Sequence, residues 1–243
     1  DASTAFRTDP AWTYGFPELS AGHRTALAAS RRVANPGCYA TGFIAMVYPL
    51  VQAGIMKPDY PVSCFAVSGY SGAGKKAIAQ YEDAAKPGHE GEFFFLRAPR
   101  PYALGLAHKH LPEMRVHTGL SATPAFTPII GNYAQGMLVH IHLDPRLLGG
   151  ASPASIQGAL AAHYAGAHFV RVLPHEGANG TDGGFLDAQA LNDTNFLELL
   201  VTGNEDHIMV TARLDNLGKG ASGAAVQSMN IMLGLDEKKG LDA

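Results

Sequence analysis

Cys38 is the residue best suited to covalent chemistry. It stands in the string NPGCYATG (residues 35–42), at the start of a segment with helical periodicity. Unpaired backbone N–H groups and the positive end of a helix dipole favour a thiolate there. Gly37 lets the backbone turn sharply and leaves the sulfur reachable. Cys38 is either a nucleophile or a buried structural cysteine, and spacing alone favours neither. Cys64 lies in an apolar run and is expected to pack in the core.

The histidines include two pairs with i, i+2 spacing. His108 and His110 are followed by Pro-Glu, whereas His140 and His142 alternate with apolar residues, as on the wet side of a half-buried strand. A cysteine nucleophile needs a group with a near-neutral pKa to move its proton, and histidine supplies one. We favour His110 because it is nearer Glu113, which would orient it. No third ligand has convincing spacing, so no metal site is predicted.

The string GYSGAGKK (residues 69–76) follows an apolar run and precedes a helical segment, so it nearly matches a phosphate-binding P-loop. A P-loop requires Ser or Thr at the last position to hold magnesium, and this chain has Lys76 there. A P-loop-type phosphotransferase or NTPase using Gly69 to Lys75 remains the alternative function, while a turn that packs against a planar ring or receives an anion is preferred. Arg7 and Arg97 could clamp a phosphate or carboxylate, but solvated surface arginines have the same sequence pattern.

The elements that must position these residues can be read from periodicity and turn residues. Pro49 falls inside the first predicted helix, where it removes a hydrogen bond. The mixed order of strands and helices, with several strands close enough for antiparallel pairing, predicts either an α+β or an α/β protein. Helices are predicted over residues 39–53, 75–86, 153–164 and 221–233, strands over residues 61–68, 92–97, 136–143, 169–173 and 207–214, and a loop over residues 176–184.

Length and composition exclude several classes of protein. The chain has 243 residues, which suits one large domain or two small ones, and 47% of them are hydrophobic. A net charge of -3 argues against nucleic acid as a partner. The longest apolar runs are too short to span a membrane. Two cysteines cannot build a disulfide framework, so a reducing, cytoplasmic location is expected.

Five strings, in order along the chain, resemble the N-acetyl-gamma-glutamyl-phosphate reductase family, and most closely its shorter bacterial branch. NPGCYATG resembles the family's active-site signature, and the others lie at residues 3–7, 67–75, 108–114 and 216–230. The resemblance implies a catalytic domain with a mixed sheet, like the C-terminal domain of glyceraldehyde-3-phosphate dehydrogenase, at residues 38–215. Residues 1–37 would end a Rossmann-type dinucleotide-binding domain, and residues 216–243 would form a helix returning to it. No glycine-rich phosphate loop precedes Cys38, so we expect these 243 residues alone to bind NADPH very weakly.

The resemblance also implies a reaction and roles for residues. Cys38 would attack an acyl phosphate to form a thioester that NADPH reduces to a semialdehyde in arginine biosynthesis, with His108 or His110 relaying the proton. Arg7 and Arg97 are candidates for binding substrate anions. A homo-oligomer, dimer or tetramer, is implied, and a non-catalytic assembly fragment is a further alternative. Four residues are implied to line the nicotinamide site: Ser68, Gly69, Ser71 and Asn230.

Overall fold

A seven-stranded mixed sheet forms the centre of the protein. The structure is a computed structural model and describes residues 1–86, 94–175 and 181–241. The strands are β1 (Thr13–Tyr14), β2 (Val33–Ala34), β3 (Ser63–Gly69), β4 (Arg100–Pro101), β5 (Ala125–Gly131), β6 (Met137–Leu143), β7 (Val170–Val172), β8 (Leu197–Gly203) and β9 (Ile208–Leu214). The helices are α1 (Ala21–Ala29), α2 (Cys38–Gln52), α3 (Lys75–Ala84), α4 (Leu111–Thr118), α5 (Pro153–His163) and α6 (Gly223–Met232).

The large sheet has the strand order β4-β5-β3-β6-β9-β8-β7, and β1 pairs with β2 separately. The β3–β5 and β7–β8 pairs are parallel, and the other pairs in the large sheet are antiparallel. One face of the sheet is covered by α2 and α5. The opposite face brings Phe65, His140 and Thr211 into register on adjacent strands.

Helix α2 lies against the middle of the sheet and is buried along nearly its whole length. Gly42 permits the close approach, because a Cβ atom there would lie 2.9 Å from Cγ2 of Val139 and 3.3 Å from Cβ of Ala212. The helix continues through Pro49, whose carbonyl accepts a hydrogen bond from Ala53 N. Tight helix–sheet packing therefore fixes the position of the helix start, and with it Cys38.

The first 37 residues pack into the same apolar core as α2, through Tyr14, Phe16 and Leu19. Helix α6 contacts α1 and follows a π-helical turn at Gly218–Ser222. Lys219 of that turn is buried and donates to Glu18 at 2.6 Å. These contacts hold the π-helical turn beside the start of α2.

Most of the predicted elements are confirmed, one predicted strand is wrong, and five strands were not predicted. The helices predicted over residues 39–53, 75–86, 153–164 and 221–233 correspond to α2, α3, α5 and α6, and four predicted strands correspond to β3, β6, β7 and β9. The sequence analysis did not find the longer strands β5 and β8, the two-residue strands β1, β2 and β4, or helix α4. The strand predicted over residues 92–97 is wrong where it is described: Phe94–Arg97 is a 3₁₀ turn with only Leu96 buried, and residues 92–93 lie outside the described part. Of the predicted loop over residues 176–184, residues 176–180 lie outside it too.

Candidate active site

Cys38 is the first residue of α2, directly after Gly37 at the N-cap position. The carbonyl of Gly37 accepts the helix's first hydrogen bond from Thr41 N at 2.8 Å. The sulfur lies among residues from distant parts of the chain. Cys38 lines a cavity of about 210 Å³ together with His108, His110 and residues 216–217 and 220–221 of the π-helical region. The structure therefore brings the predicted nucleophile and both predicted histidines to one cavity.

Gly37 is held between a histidine and a buried ion pair. A Cβ atom on Gly37 would collide with the His110 ring and lie 2.6 Å from Nη1 of Arg7. Glu113 accepts hydrogen bonds from Gly37 N at 3.1 Å, Arg7 Nη1 at 2.7 Å and the Tyr14 hydroxyl at 2.6 Å. The prediction that Glu113 orients His110 is not supported, because its carboxylate is engaged by these three donors. Glu113 instead fixes the peptide that precedes Cys38.

Both site histidines are held in the neutral form at pH 7. Burial, with smaller effects from His108 and Arg7, lowers the pKa of His110 to about 2. Burial also lowers the pKa of His108 to about 4. Nδ1 of His110 is buried and has no hydrogen-bond partner among the described residues, whereas Nδ1 of His108 accepts a hydrogen bond from His110 N at 3.2 Å. A neutral imidazole has one nitrogen lone pair, and that of His108 already accepts this bond, so His110 is the ring better placed to accept a proton.

The helix start does not keep Cys38 as a thiolate at neutral pH, which differs from the expectation from the sequence. Burial raises the pKa of the Cys38 thiol to about 11, and the nearby Glu113 carboxylate raises it further. The backbone of Tyr39 and the cations Lys109 and Arg7 lower the pKa, but their combined effect is smaller. Desolvation therefore outweighs the helix terminus. At neutral pH, the pair formed by Cys38 and an imidazole begins as thiol and neutral ring.

The residues expected at a nicotinamide site separate into two groups. Ser71 lines the Cys38 cavity, and its hydroxyl accepts a hydrogen bond from Asn216 Nδ2 at 2.9 Å. Ser68 is fully buried beneath it and donates to the Gly69 carbonyl. Asn230 does not line this cavity, and its amide donates to the carbonyls of Glu237 and Lys239 after α6, so its placement beside the ring stays a prediction.

The two arginines also differ in their surroundings. Arg7 lines the cavity but is 8% exposed, and its guanidinium is engaged by Glu113 and by the carbonyls of Asn35 and Ala2. Arg97 lies on the exposed 3₁₀ turn, with its guanidinium 5.3 Å from the centre of the Phe94 ring, and does not line the cavity. The structure thus places Arg7, and not Arg97, next to Cys38.

His140 differs from the wet-face histidine that the alternating pattern predicted. It is buried, bonds the Thr211 hydroxyl through Nδ1 at 2.8 Å, and stacks on Phe65. His142, two residues along the strand, is exposed as expected. The i, i+2 pattern identified the correct face of the strand, but it could not show that the Phe65 ring packs on His140 and buries it.

The glycine-rich turn lacks the open backbone of a P-loop. Residues Tyr70–Ala73 form a 3₁₀ turn, and the N–H groups of residues 69–71 donate to carbonyls of residues 133–136 at 2.8–3.0 Å. A phosphate cradle needs such N–H groups to point at the ligand. The phosphotransferase alternative is therefore not favoured.

Asn216 and Gly220 are site residues that the sequence analysis did not single out. Asn216 accepts from Gly136 N at 2.8 Å and donates to Ser71, so it joins two loops at the cavity. A Cβ atom on Gly220 would lie 2.8 Å from Cβ of Cys38. Both belong to the string at residues 216–230, but their contacts depend on how the chain folds back.

Small residues at this cavity are suited to a flat ring. Gly72 and Gly220 carry no side chain there, and the buried Oδ1 of Asn35 has no hydrogen-bond partner among the described residues. Nicotinamide has a planar ring and a carboxamide that can donate a hydrogen bond.

In the described part of the chain, no cluster of three His, Cys, Asp or Glu side chains could hold a metal ion. No described helix is long and apolar enough to cross a membrane.

Comparisons with known proteins agree with this arrangement. Residues 38–216 match the family described as semialdehyde dehydrogenase, dimerisation domain. N-acetyl-gamma-glutamyl-phosphate reductase 2 from Nostoc sp. is 47% identical over 99% of this chain and 76% of its own length. The reductase from Brucella ovis is 48% identical over 96% of this chain and 74% of its own.

Solved structures share the fold at low sequence identity. Aspartate semialdehyde dehydrogenase from Francisella tularensis superimposes with a TM-score of 0.69 at 13% identity, covering 96% of this chain and 74% of that one. Aspartate semialdehyde dehydrogenase II from Vibrio cholerae gives a TM-score of 0.67 at 15% identity, covering 96% of this chain and 71% of that one. On the sequence identities and the family match, this chain belongs to the N-acetyl-gamma-glutamyl-phosphate reductase family, whose members are oxidoreductases that use a nicotinamide cofactor.

Proposed function

We propose that this protein reduces N-acetyl-γ-glutamyl phosphate with NADPH to N-acetylglutamate semialdehyde and phosphate, through a thioester on Cys38. The observation that carries the proposal is the meeting of Cys38, His108 and His110 at one cavity, with Cys38 at the start of α2. NADP(H) is assigned as the cofactor from family membership. Ser71, Gly72 and Asn216 would hold its nicotinamide, with Oδ1 of Asn35 available to its carboxamide.

The first step needs a base, because the pKa of the Cys38 thiol is about 11. We assign this role to His110, whose ring lies against Gly37, the residue before the nucleophile. The neutral imidazole accepts the thiol proton while the sulfur attacks the acyl carbonyl. A carbon–sulfur bond forms, the bond from the carbonyl carbon to the phosphate oxygen breaks, and phosphate leaves.

The nicotinamide, when bound, supplies the hydride that reduces the thioester carbon. The chain's own groups hold the acyl group during this step and manage the proton. Cys38 keeps the carbon in place, and the imidazolium of His110 donates its proton as the sulfur leaves and the semialdehyde forms. His108 supports His110, because its Nδ1 accepts the hydrogen bond from His110 N. Burial favours the return of His110 to the neutral state after each cycle.

The protein's unit of function is proposed as a homo-oligomer, dimer or tetramer, in the cytoplasm. The matched dimerisation domain supports self-association. The sheet face opposite α2 carries Phe65, Val67 and Met209, which are only partly buried in one chain. The two free cysteines are consistent with a reducing compartment. Light scattering of the purified protein should give a mass at least twice that of one chain.

A direct spectrophotometric assay of the reverse reaction tests the proposed function. The full-length protein is incubated with N-acetylglutamate semialdehyde and NADP, and NADPH is followed by absorbance. We expect NADPH formation that depends on phosphate and proceeds without ATP or magnesium. A requirement for both ATP and magnesium would support the phosphotransferase alternative and contradict this proposal.

A further inference from the structure

A second cavity adjoins the Cys38 cavity and is larger, at about 540 Å³ against about 210 Å³. The two cavities share four lining residues: Gly72, Tyr102, His108 and Lys109. We call the second one the distal cavity. The thioester steps described above use only the cavity at Cys38, so the distal cavity has no assigned ligand.

The charge of the distal cavity is positive. Arg100 and Lys109 both line it, and no carboxylate is among the described residues that do so. Both side chains are exposed, and the Arg100 guanidinium lies 4.9 Å from the centre of the Phe95 ring. An arginine and a lysine at one cavity attract an anionic group, and the arginine offers paired donors that match a carboxylate.

Two further groups at the distal cavity suit an anion. Helix α3 begins there, at Lys75, with Gly74 as its N-cap and no side chain capping its first turn. Its free N–H groups favour negative charge. Tyr81 also lines the cavity and is only 5% exposed, yet its hydroxyl has no hydrogen-bond partner among the described residues. Burying a hydroxyl that lacks a hydrogen-bond partner destabilises a protein, unless a bound ligand supplies the partner.

We propose that the distal cavity binds the carboxylate end of the acyl substrate, with Arg100 as the main specificity-determining residue and Tyr81 and Lys109 as further donors. This rests on the proposed function. In N-acetyl-γ-glutamyl phosphate, the free carboxylate lies four carbon–carbon bonds, about 5 Å, from the reacting carbonyl carbon. The phosphate is joined to that carbon through one oxygen and therefore stays beside Cys38. Ala73, Ala77 and Ile130 give the cavity an apolar wall for the methylene groups.

Reverse-direction kinetics with full-length protein test the assignment. Arg100→Met should raise the KM for N-acetylglutamate semialdehyde about 10- to 100-fold, as expected for loss of a charged hydrogen bond. The KM for phosphate and the kcat should change little. Tyr81→Phe should raise the aldehyde KM about two- to tenfold. Arg115→Met is the matched control, since Arg115 is exposed and lines neither cavity.

A substrate analogue makes the test specific to charge. The wild type should strongly prefer the aldehyde over the same aldehyde with its carboxylate converted to a carboxamide. Arg100→Met should lose most of that preference, and Arg100→Lys should keep part of it.

Two results would overturn the assignment. If Arg100→Met keeps both the aldehyde KM and the preference for the carboxylate, the cavity does not bind that group. If Arg100→Met raises the KM for phosphate instead, the distal cavity binds phosphate and not the carboxylate. An inactive wild type would count against the proposed function itself, so the two failures are distinguishable.

Discussion

Gly220 lies directly against Cys38, so close that a Cβ atom on Gly220 would be 2.8 Å from Cβ and 3.3 Å from Cα of the cysteine. The two residues come from the π-helical turn before α6 and from the start of α2. The peptide of Gly220 therefore forms one wall of the nucleophile's site. Glycine is required here for space, because even a methyl group would have to displace the cysteine.

Gly220→Ala should lower kcat about 10- to 100-fold, since a shift of the nucleophile by a fraction of an ångström disturbs its alignment with the carbonyl. Gly158→Ala is the matched control. Gly158 lies in α5, and nothing is within 4 Å of a Cβ atom there. That control should keep full activity and gain about 0.5–1 kcal/mol of stability. Equal activity of the two variants would show that catalysis does not require the absence of a side chain at position 220.

His110→Asn should reduce kcat about 10²–10⁴-fold, the usual contribution of a positioned proton-transfer group. His140→Asn should leave kcat nearly unchanged, because His140 bonds Thr211 on the sheet face opposite α2. Steady-state assays of both variants and of His108→Asn make the comparison. A larger loss for His108→Asn would transfer the proton-relay role to His108, and three active variants would remove the pair from the mechanism.

Iodoacetamide should label Cys38 in preference to Cys64. Burial raises the pKa of both thiols, but that of Cys64 is raised further and Cys64 is 2% exposed. Only the thiolate reacts, and with a pKa of about 11 only about one Cys38 thiol in 10⁴ is ionised at pH 7. The labelling rate of the ligand-free protein should therefore rise about tenfold per pH unit from pH 7 to 10. A rate that levels off below pH 8 would show that the helix terminus outweighs burial after all.

Glu113→Gln should destabilise the protein by about 3 kcal/mol, because the buried Arg7 loses its counter-ion. The Gln side chain can still accept from Gly37 N, so folding should remain cooperative. Asp236→Asn is the control, since it removes one partner of the exposed Asp236–Lys238 pair and should have little effect. Urea unfolding curves for the three proteins give the free energies of unfolding. A loss no larger than that of the control would mean that Arg7 is not a buried cation in solution.

The sequence carried enough local information to predict the helix that presents Cys38 and the strand that contains His140. It missed β5 because Pro128 lies inside that strand, and a proline cannot donate a backbone hydrogen bond to a neighbouring strand. The structure accommodates Pro128 because the neighbouring strand β4 is short and pairs with Ile129 and Ile130. The alternation that identified β6 could not reveal that Phe65 on β3 covers His140. Periodicity reports which face a residue occupies, and it does not report what packs on that face.

The candidate site was predictable in its chemistry but not in its electrostatics. Cys38, His108 and His110 stand in recognisable strings, whereas the Arg7–Glu113 pair joins residues 106 positions apart. That pair takes Glu113 away from the role the sequence suggested for it. The raised pKa of Cys38 likewise results from burial by segments on both sides of it in the chain. Such effects depend on tertiary packing, which spacing along the chain does not contain.

Intact-protein mass spectrometry of the thioester tests the central claim most directly. Full-length protein is mixed with N-acetylglutamate semialdehyde and NADP without phosphate, so that oxidation forms NADPH and leaves the acyl group on the enzyme. We predict one added acyl group, mapped to Cys38 by peptide analysis, which disappears when phosphate is added and never forms on Cys38→Ala. Phosphate-dependent turnover by Cys38→Ala, or an acyl group on any other residue, would contradict the account.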